Sequence, residues 1–392
     1  MNIMVITTLY PTHKEQQRNE ITHALHYFFD DWAKQGHKVQ VVRIQPTYPS
    51  VFNVLKKSKM ANAFKTVSSF KKDNVNVTRV PITKIPKINY GEASINKSYK
   101  IIKNYLDEID KPDVILCHMI NPSLYIAELV KKYIDVPLVV TLHQTDLLYL
   151  DSKKKHRSRY DKVLRNIDQL CFRSESIRET YNKIGFIVDQ TSIVSSGIDE
   201  DAIIDLNKLK NKKNRKSKEV FIAASLIKLK NIDVLLRSFS KLNDKDIVLK
   251  IAGSGPEKNK LLKLVRQLGI EHKVSFLGFL SRKEVLKYME ESDVFVMVSS
   301  PETFGLVYLE AMAKGCITIG AKGEGIDGTI VDGENGYLCS PRNVNELKLK
   351  LAQSIHNTNK DKMLTNAVST AKKMTQNQIS EDYLRTLKRI KR

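Results

Sequence analysis

The feature that most constrains this chain is a rhythm. A short run of β-branched residues, a loop and a stretch of helical spacing recur along most of its length. Ile3–Thr8 reads as strand, Glu20–Gln35 as a helix ending near Gly36, and Val39–Arg43 as strand. Asp113–Cys117, Leu124–Tyr133 and Leu138–Leu142 continue as strand, helix and strand, with Pro137 ahead of the last strand, where its missing N–H is tolerated. Alternation of this kind argues for parallel sheets covered on both faces by helices.

The rhythm breaks once. Around Asn207–Lys218 the chain reads LNKLKNKKNRKSKE, polar, charged and without period, which suits a solvated linker. Beyond it the alternation restarts, with strands at Val220–Ala224, Ile247–Gly253, Val274–Leu277, Val294–Val298 and Ile317–Ile319 and helices between them. At 392 residues the chain exceeds one ordinary core. The expected division is 1–200, a basic linker 201–218, 219–375 and a terminal amphipathic helix 376–392. Two such α/β units imply a cleft, with ligands beyond the carboxyl ends of the strands.

Several classes fall away on composition. No stretch approaches the ~20 apolar residues of a membrane-spanning helix, and Met1 leads into Ile3–Thr8 without a charged segment and cleavage site. The expected location is therefore cytoplasmic. Cys117, Cys171, Cys316 and Cys339 lie outside metal-ligand or C-x-x-C spacing and read as small buried hydrophobes. A nicotinamide-dependent oxidoreductase would need G-x-G-x-x-G after the first strand, and TTLYPTHK is no such loop.

Charge is the unusual bulk property. Lys and Arg number 65 against 43 acidic residues, a net +22 gathered at Lys56–Lys72, Lys153–Arg165 and Lys208–Lys218. Such a surface attracts anionic lipid or acidic polymers, so the protein is expected to sit peripherally at the inner membrane face. Nucleic acid is not expected as a partner, because the aromatics do not interleave with the basic runs.

The stretch that carries chemistry runs from Asp293 to Gly315. A buried strand ends in Ser299–Ser300–Pro301, Gly305 gives a tight loop, and a helix starts at Leu306. The first-turn N–H groups of that helix lack intrahelical partners and carry partial positive charge, a ready phosphate site. Glu302 and Glu310 bracket it, and an ionised carboxylate accepts hydrogen bonds from sugar or ribose hydroxyls. No D-x-D stands at a strand end to hold a divalent cation.

P-E-x-F-G-L-x-x-L-E-A-M-A-x-G, with its E-x7-E, resembles the signature of glycosyltransferase family 4, retaining enzymes of the two-Rossmann GT-B fold. The resemblance extends over essentially the whole chain. It implies transfer of a sugar from a nucleoside-diphosphate donor, UDP in preference to GDP, to a glycan or lipid-linked acceptor of surface polysaccharide synthesis. It implies no metal and no cofactor beyond the donor. The first domain would bind acceptor and the second the nucleotide sugar, with the terminal helix returning to the first domain.

By this resemblance Glu302 and His143 are the catalytic pair, and Glu302, Phe304 and Asp146 hold the sugar. Lys230, Ser225, Gly305 and Leu306 hold the diphosphate, and Glu310 and Gly278 the nucleoside. His143 and Asp146 lie in VVTLHQTDL, similar to the family's strand-end H-G-x-D. Lys230 falls in SLIKLKNID, where Ser225 replaces the usual arginine and Asn231 the usual glycine. The loop after the first strand, YPTHKEQQRNE, has no glycine and puts Arg18 and Asn19 on the acceptor side. Ser225 and that loop favour an alternative, a non-catalytic GT-B partner subunit. A nucleotide-sugar 2-epimerase is the second alternative, and E-x-F-G-L speaks against it.

Overall fold

The computed structural model describes residues 1–16, 25–52, 62–186, 188, 190–214, 218–244 and 246–390. Arg18 and Asn19, and the whole of Lys56–Lys59, lie outside the described residues. The chain divides into two compact units. The first holds Met1–Arg173, Ile177–Ser195 and Ile379–Arg392, and the second Ser174–Ser176 and Ser196–Gln378.

In the first unit the strands are β1 (Asn2–Thr7), β2 (Lys38–Thr47), β3 (Ser68–Lys72), β4 (Val75–Thr83), β5 (Val114–His118), β6 (Leu138–Leu142), β7 (Gln169–Phe172) and β8 (Thr191–Ile193). They form one sheet in the order β3-β4-β2-β1-β5-β6-β7-β8, parallel except for the β3–β4 hairpin. The central strands β5, β6 and β7 are buried at every residue. That is why they read as unbroken apolar runs rather than as alternation. The helices are α1 (His26–Lys34), α2 (Glu92–Leu106), α3 (Tyr125–Ile134), α4 (Gln144–Ser152), α5 (Lys154–Leu164) and α6 (Glu175–Lys183).

The second unit has β9 (Glu219–Ala223), β10 (Val248–Ala252), β11 (Val274–Gly278), β12 (Val294–Val296), β13 (Ile317–Ala321) and β14 (Tyr337–Cys339). All six are parallel, in the order β11-β10-β9-β12-β13-β14. This is the 3-2-1-4-5-6 order of a nucleotide-binding sheet, with its topological switch between β9 and β12. Its helices are α7 (Leu206–Asn214), α8 (Ile232–Phe239), α9 (Lys258–Leu268), α10 (Arg282–Glu291), α11 (Leu306–Ala313), α12 (Val344–Ile355) and α13 (Lys360–Lys372).

The linker reading is corrected by α7. Leu209 is buried, and so is Lys212, whose ammonium donates to the carbonyls of Met289 and Lys314 at 3.0 Å each. Those carbonyls close α10 and α11, where the helix dipole favours a cation. Packing, rather than apolar period, makes this helix. The terminal helix α14 (Gln376–Ile390) does join the first unit from residue 379. Tyr383 packs edge-on against Phe28 and Trp32, and the Trp32 indole donates to Ser380 O at 3.1 Å. All four cysteines are buried, and none is in a disulfide.

Candidate active site

The carboxyl ends of β9, β10 and β11 open onto a cavity of about 400 Å³. Its walls are Ala223–Ser225, Ala252–Ser254, Phe279 and Leu280, and it is closed by Arg282 and Val285 of α10 and Val307 and Glu310 of α11. Gly253 makes the wall thin. At φ 138° a Cβ there would lie 1.8 Å from Ala224 O, so no other residue lets the two loops approach so closely. Gly278 (φ 73°) turns the chain at the end of β11, which leaves Phe279 81% exposed on the cavity rim.

Glu310 lines the cavity from α11. Its Oε1 accepts from Arg282 Nε at 2.8 Å, and Arg282 also pairs with Asp199. Burial raises the Glu310 carboxyl above the ordinary range, against the opposing pull of Arg282. Arg282 is a cavity-lining residue that sequence reasoning missed. Nothing in SRKEV marks it until folding brings it 2.8 Å from a residue 28 positions later in the sequence.

The corner at the N-terminus of α11 is built around Gly305, in the left-handed conformation (φ 78°) that lets the chain turn into α11 at Leu306. Beside it Lys230 Nζ meets Glu302 Oε2 at 2.7 Å, with side-chain exposures of 22% and 16%. Ser299 Oγ donates to the same oxygen at 2.9 Å. The loop is held from behind, where Glu302 N donates to Glu324 Oε2 at 2.6 Å and Gly325 N to Glu302 O at 2.9 Å. Asn231, in place of a glycine, has φ 48°, and its amide donates to Val298 O at 2.7 Å. Asparagine is among the few residues that tolerate this region, so the substitution keeps the turn. Ser225 is exposed on the cavity wall and brings no charge there.

Two residues assigned to the sugar are placed otherwise. Phe304 is 5% exposed and its ring belongs to the apolar core of the second unit, leaving only its backbone for a ligand. Asp146, 2% exposed, accepts from Ile120 N at 2.8 Å and His143 N at 2.9 Å. It is a strut between the loops after β5 and β6. Burial pushes its carboxyl up to about 7, although both N–H bonds favour the charged form.

His143 stands at the end of β6, at the entry to α4. Its Nε2 lies 3.2 Å from Nδ1 of the buried His118, at the end of β5. His118 Nε2 is 3.4 Å from Tyr383 Oη, which lies 2.6 Å from Thr141 Oγ1. Burial first, and the Arg173 guanidinium second, lower the His143 pKa to about 3. His118 is held well below its usual value by burial, His143 and Arg173. Both imidazoles are thus neutral near pH 7, suited to hydrogen bonding rather than to carrying charge.

The family model for glycosyltransferase family 4 matches residues 23–202, and that for glycosyl transferases group 1 matches 204–374. An uncharacterized glycosyltransferase of Methanocaldococcus jannaschii is 29% identical over 79% of this chain and 78% of its own length. The N-acetyl-alpha-D-glucosaminyl L-malate synthase of Bacillus anthracis is 32% identical over 58% of this chain and 61% of its own. Anabaena HepE, solved in complex with UDP, superposes with a TM-score of 0.70 over 99% of this chain and all of its own, at 19% identity. Two tandem matches that together take in both units identify the chain as a family 4, group 1 glycosyltransferase with two parallel Rossmann-like sheets.

Proposed function

We propose that this enzyme transfers a sugar from a UDP-sugar, with retention of configuration, to a glycan or lipid-linked acceptor of surface polysaccharide synthesis. The observation that carries the donor reading is the Lys230–Glu302 pair beside the N-terminus of α11, next to a cavity lined by Glu310. The nucleoside would occupy that cavity, with its base against the exposed ring of Phe279 and its ribose hydroxyls donating to Glu310. Lys230 and the first-turn N–H groups of α11 would take the diphosphate and stabilise the charge it gains as it leaves. Glu302 would then accept hydrogen bonds from the sugar hydroxyls, and neutral His143, on the first unit, would act by hydrogen bonding rather than by charge. With positive charge already at the leaving group, the reaction is expected to need no divalent cation, and turnover to survive EDTA.

The deciding experiment is calorimetry with UDP, GDP and ADP on the wild type, Lys230→Ala and Glu310→Ala. Selective binding of UDP, weakened about tenfold or more by each substitution, supports the reading. Selective GDP binding would move the donor to the GDP-sugars. Failure of folded protein to bind any of the three would favour a non-catalytic subunit, the reading to which the uncharged Ser225 lends itself. Product formed from donor alone would indicate a 2-epimerase.

A further inference from the structure

The first unit carries a surface feature that sugar transfer itself does not use. After β4 the chain makes a four-residue turn, Ile85–Ile88, closed by Ile88 N donating to Ile85 O at 3.2 Å. Pro86 occupies its second position, and Lys87 its third at φ 62°, a region lysine seldom adopts. The turn sets two aliphatic side chains side by side in solvent, Ile85 46% and Ile88 58% exposed.

The turn is fastened to a basic helix. Asn89 is hydrogen-bonded to His156 of α5, and Arg159 Nη1 donates to Tyr90 O at 3.2 Å. Arg159 also lies over the Tyr125 ring at 3.9 Å, and the Tyr149 ring of α4 stacks on His156 at 4.2 Å. These contacts use the inward side of α5. Lys153, Lys154 and Lys155 at its start are exposed, and no ion pair joins them or Lys87 to an acid among the described residues. From Asp151 to Arg165 there are seven cations against two acids, Asp151 and Asp161.

We infer that the Ile85–Ile88 turn and the Lys153–Lys155 start of α5 together dock this enzyme on an anionic lipid surface. The pairing of chemistries selects the partner. Unpaired lysines suit any polyanion, but two aliphatic side chains held out by a hydrogen-bonded turn gain nothing from a polysaccharide or nucleic acid. At a bilayer they enter the apolar boundary while the lysines meet the headgroups. The position suits the reaction as well. The turn follows the carboxyl end of β4, the same sheet edge that carries His118 and His143. Asn121 Nδ2 donates to Asn89 Oδ1 at 3.3 Å and so ties the turn to the segment that follows β5. Docking there brings that edge near the plane where a lipid-linked acceptor presents its sugar. The inference deepens the acceptor part of the proposed function and rests on it.

The test is co-sedimentation of the full chain with vesicles of phosphatidylcholine alone or with about one third phosphatidylglycerol. Compared are the wild type, Ile85→Ser/Ile88→Ser and Lys153→Gln/Lys154→Gln/Lys155→Gln. Binding is expected only to the anionic vesicles. The lysine triple variant should lose about 100-fold in partition, from roughly fivefold per cation, and the isoleucine pair about tenfold or more. Both variants should keep the wild-type melting temperature and UDP affinity, which separates failure of docking from failure of the donor site. Absence of vesicle binding by folded wild type overturns the inference. Loss with the lysines but not the isoleucines also overturns it and points to a soluble polyanion, with dextran sulfate as the probe.

Discussion

Glu302→Gln should make the enzyme bind UDP more tightly while making it a poorer transferase. Glu302 holds Lys230 at 2.7 Å, so an incoming diphosphate competes with that carboxylate for the ammonium. Glutamine keeps the shape and can still accept from Ser299, but it removes the charge. A carboxylate roughly 6 Å from a diphosphate charge opposes it by about 1–3 kcal/mol at effective dielectric constants of about 20–40. The pair's partial exposure, 22% and 16%, favours the lower end. Affinity for UDP should therefore rise about tenfold. Transfer from the intact donor should fall about 10- to 100-fold, the cost of one charged hydrogen bond to the sugar. Lys230→Ala should weaken UDP by a similar factor, and in its background Glu302→Gln should gain less than it does alone. Calorimetry and initial rates on the four proteins read this out. Unchanged or weaker UDP binding by Glu302→Gln would refute the argument that the two groups are in competition.

Three further outcomes follow from the geometry. Gly253→Ala places a methyl group 1.8 Å from Ala224 O and should cost about 3 kcal/mol or more in urea unfolding, with UDP binding lost; a mild effect would show that the two loops are free to part. Asp146, raised to about 7 in the fold, contributes stability present below about pH 4 and lost as pH rises toward 7, up to about 4 kcal/mol. Asp146→Asn cannot ionise and should flatten that part of the stability–pH curve, so an identical slope in the variant would contradict the burial argument. Tyr383→Phe removes the hydroxyl between Thr141 and His118 and should lower stability by about 1–2 kcal/mol and kcat severalfold. The donor KM should stay near wild type; equal loss in KM would place the effect outside His143.

The sheets were legible because β5, β6, β12 and β13 are short apolar runs buried at every residue, and burial on both faces writes such runs directly into sequence, while β9, β10 and β11 are partly exposed runs marked by their β-branched and aromatic residues and the turns around them. The β3–β4 hairpin was not, since Ser68–Lys72 alternates half-buried with exposed residues at the sheet edge and offers little apolar signal. Helix α7 escaped because Leu209 and the stem of Lys212 are its only buried residues, too few for a period. At the site, loop and helix spacing marked Glu302, Glu310 and the Gly305 turn, and the family resemblance marked Lys230, which the fold brings 2.7 Å from Glu302. Sequence reading failed where direction matters. A motif carboxylate such as Asp146, or an aromatic such as Phe304, looks the same in sequence whether it faces a ligand or a core. Arg282 and His118 were invisible for a different reason, as each acquires meaning only from a partner on another element.

The place of α14 has a consequence for how the molecule is made. Tyr383, Leu384 and Leu387 belong to the core of the first unit, yet a ribosome reaches them only after the whole second unit has been synthesised. Until then the aromatic face of α1, with Phe28 and Trp32, lacks its cover. The nascent first unit therefore waits, with an apolar surface open to chaperones, while the second completes itself. Trp32 is the one tryptophan of the sequence, so its fluorescence reports the moment that wait ends.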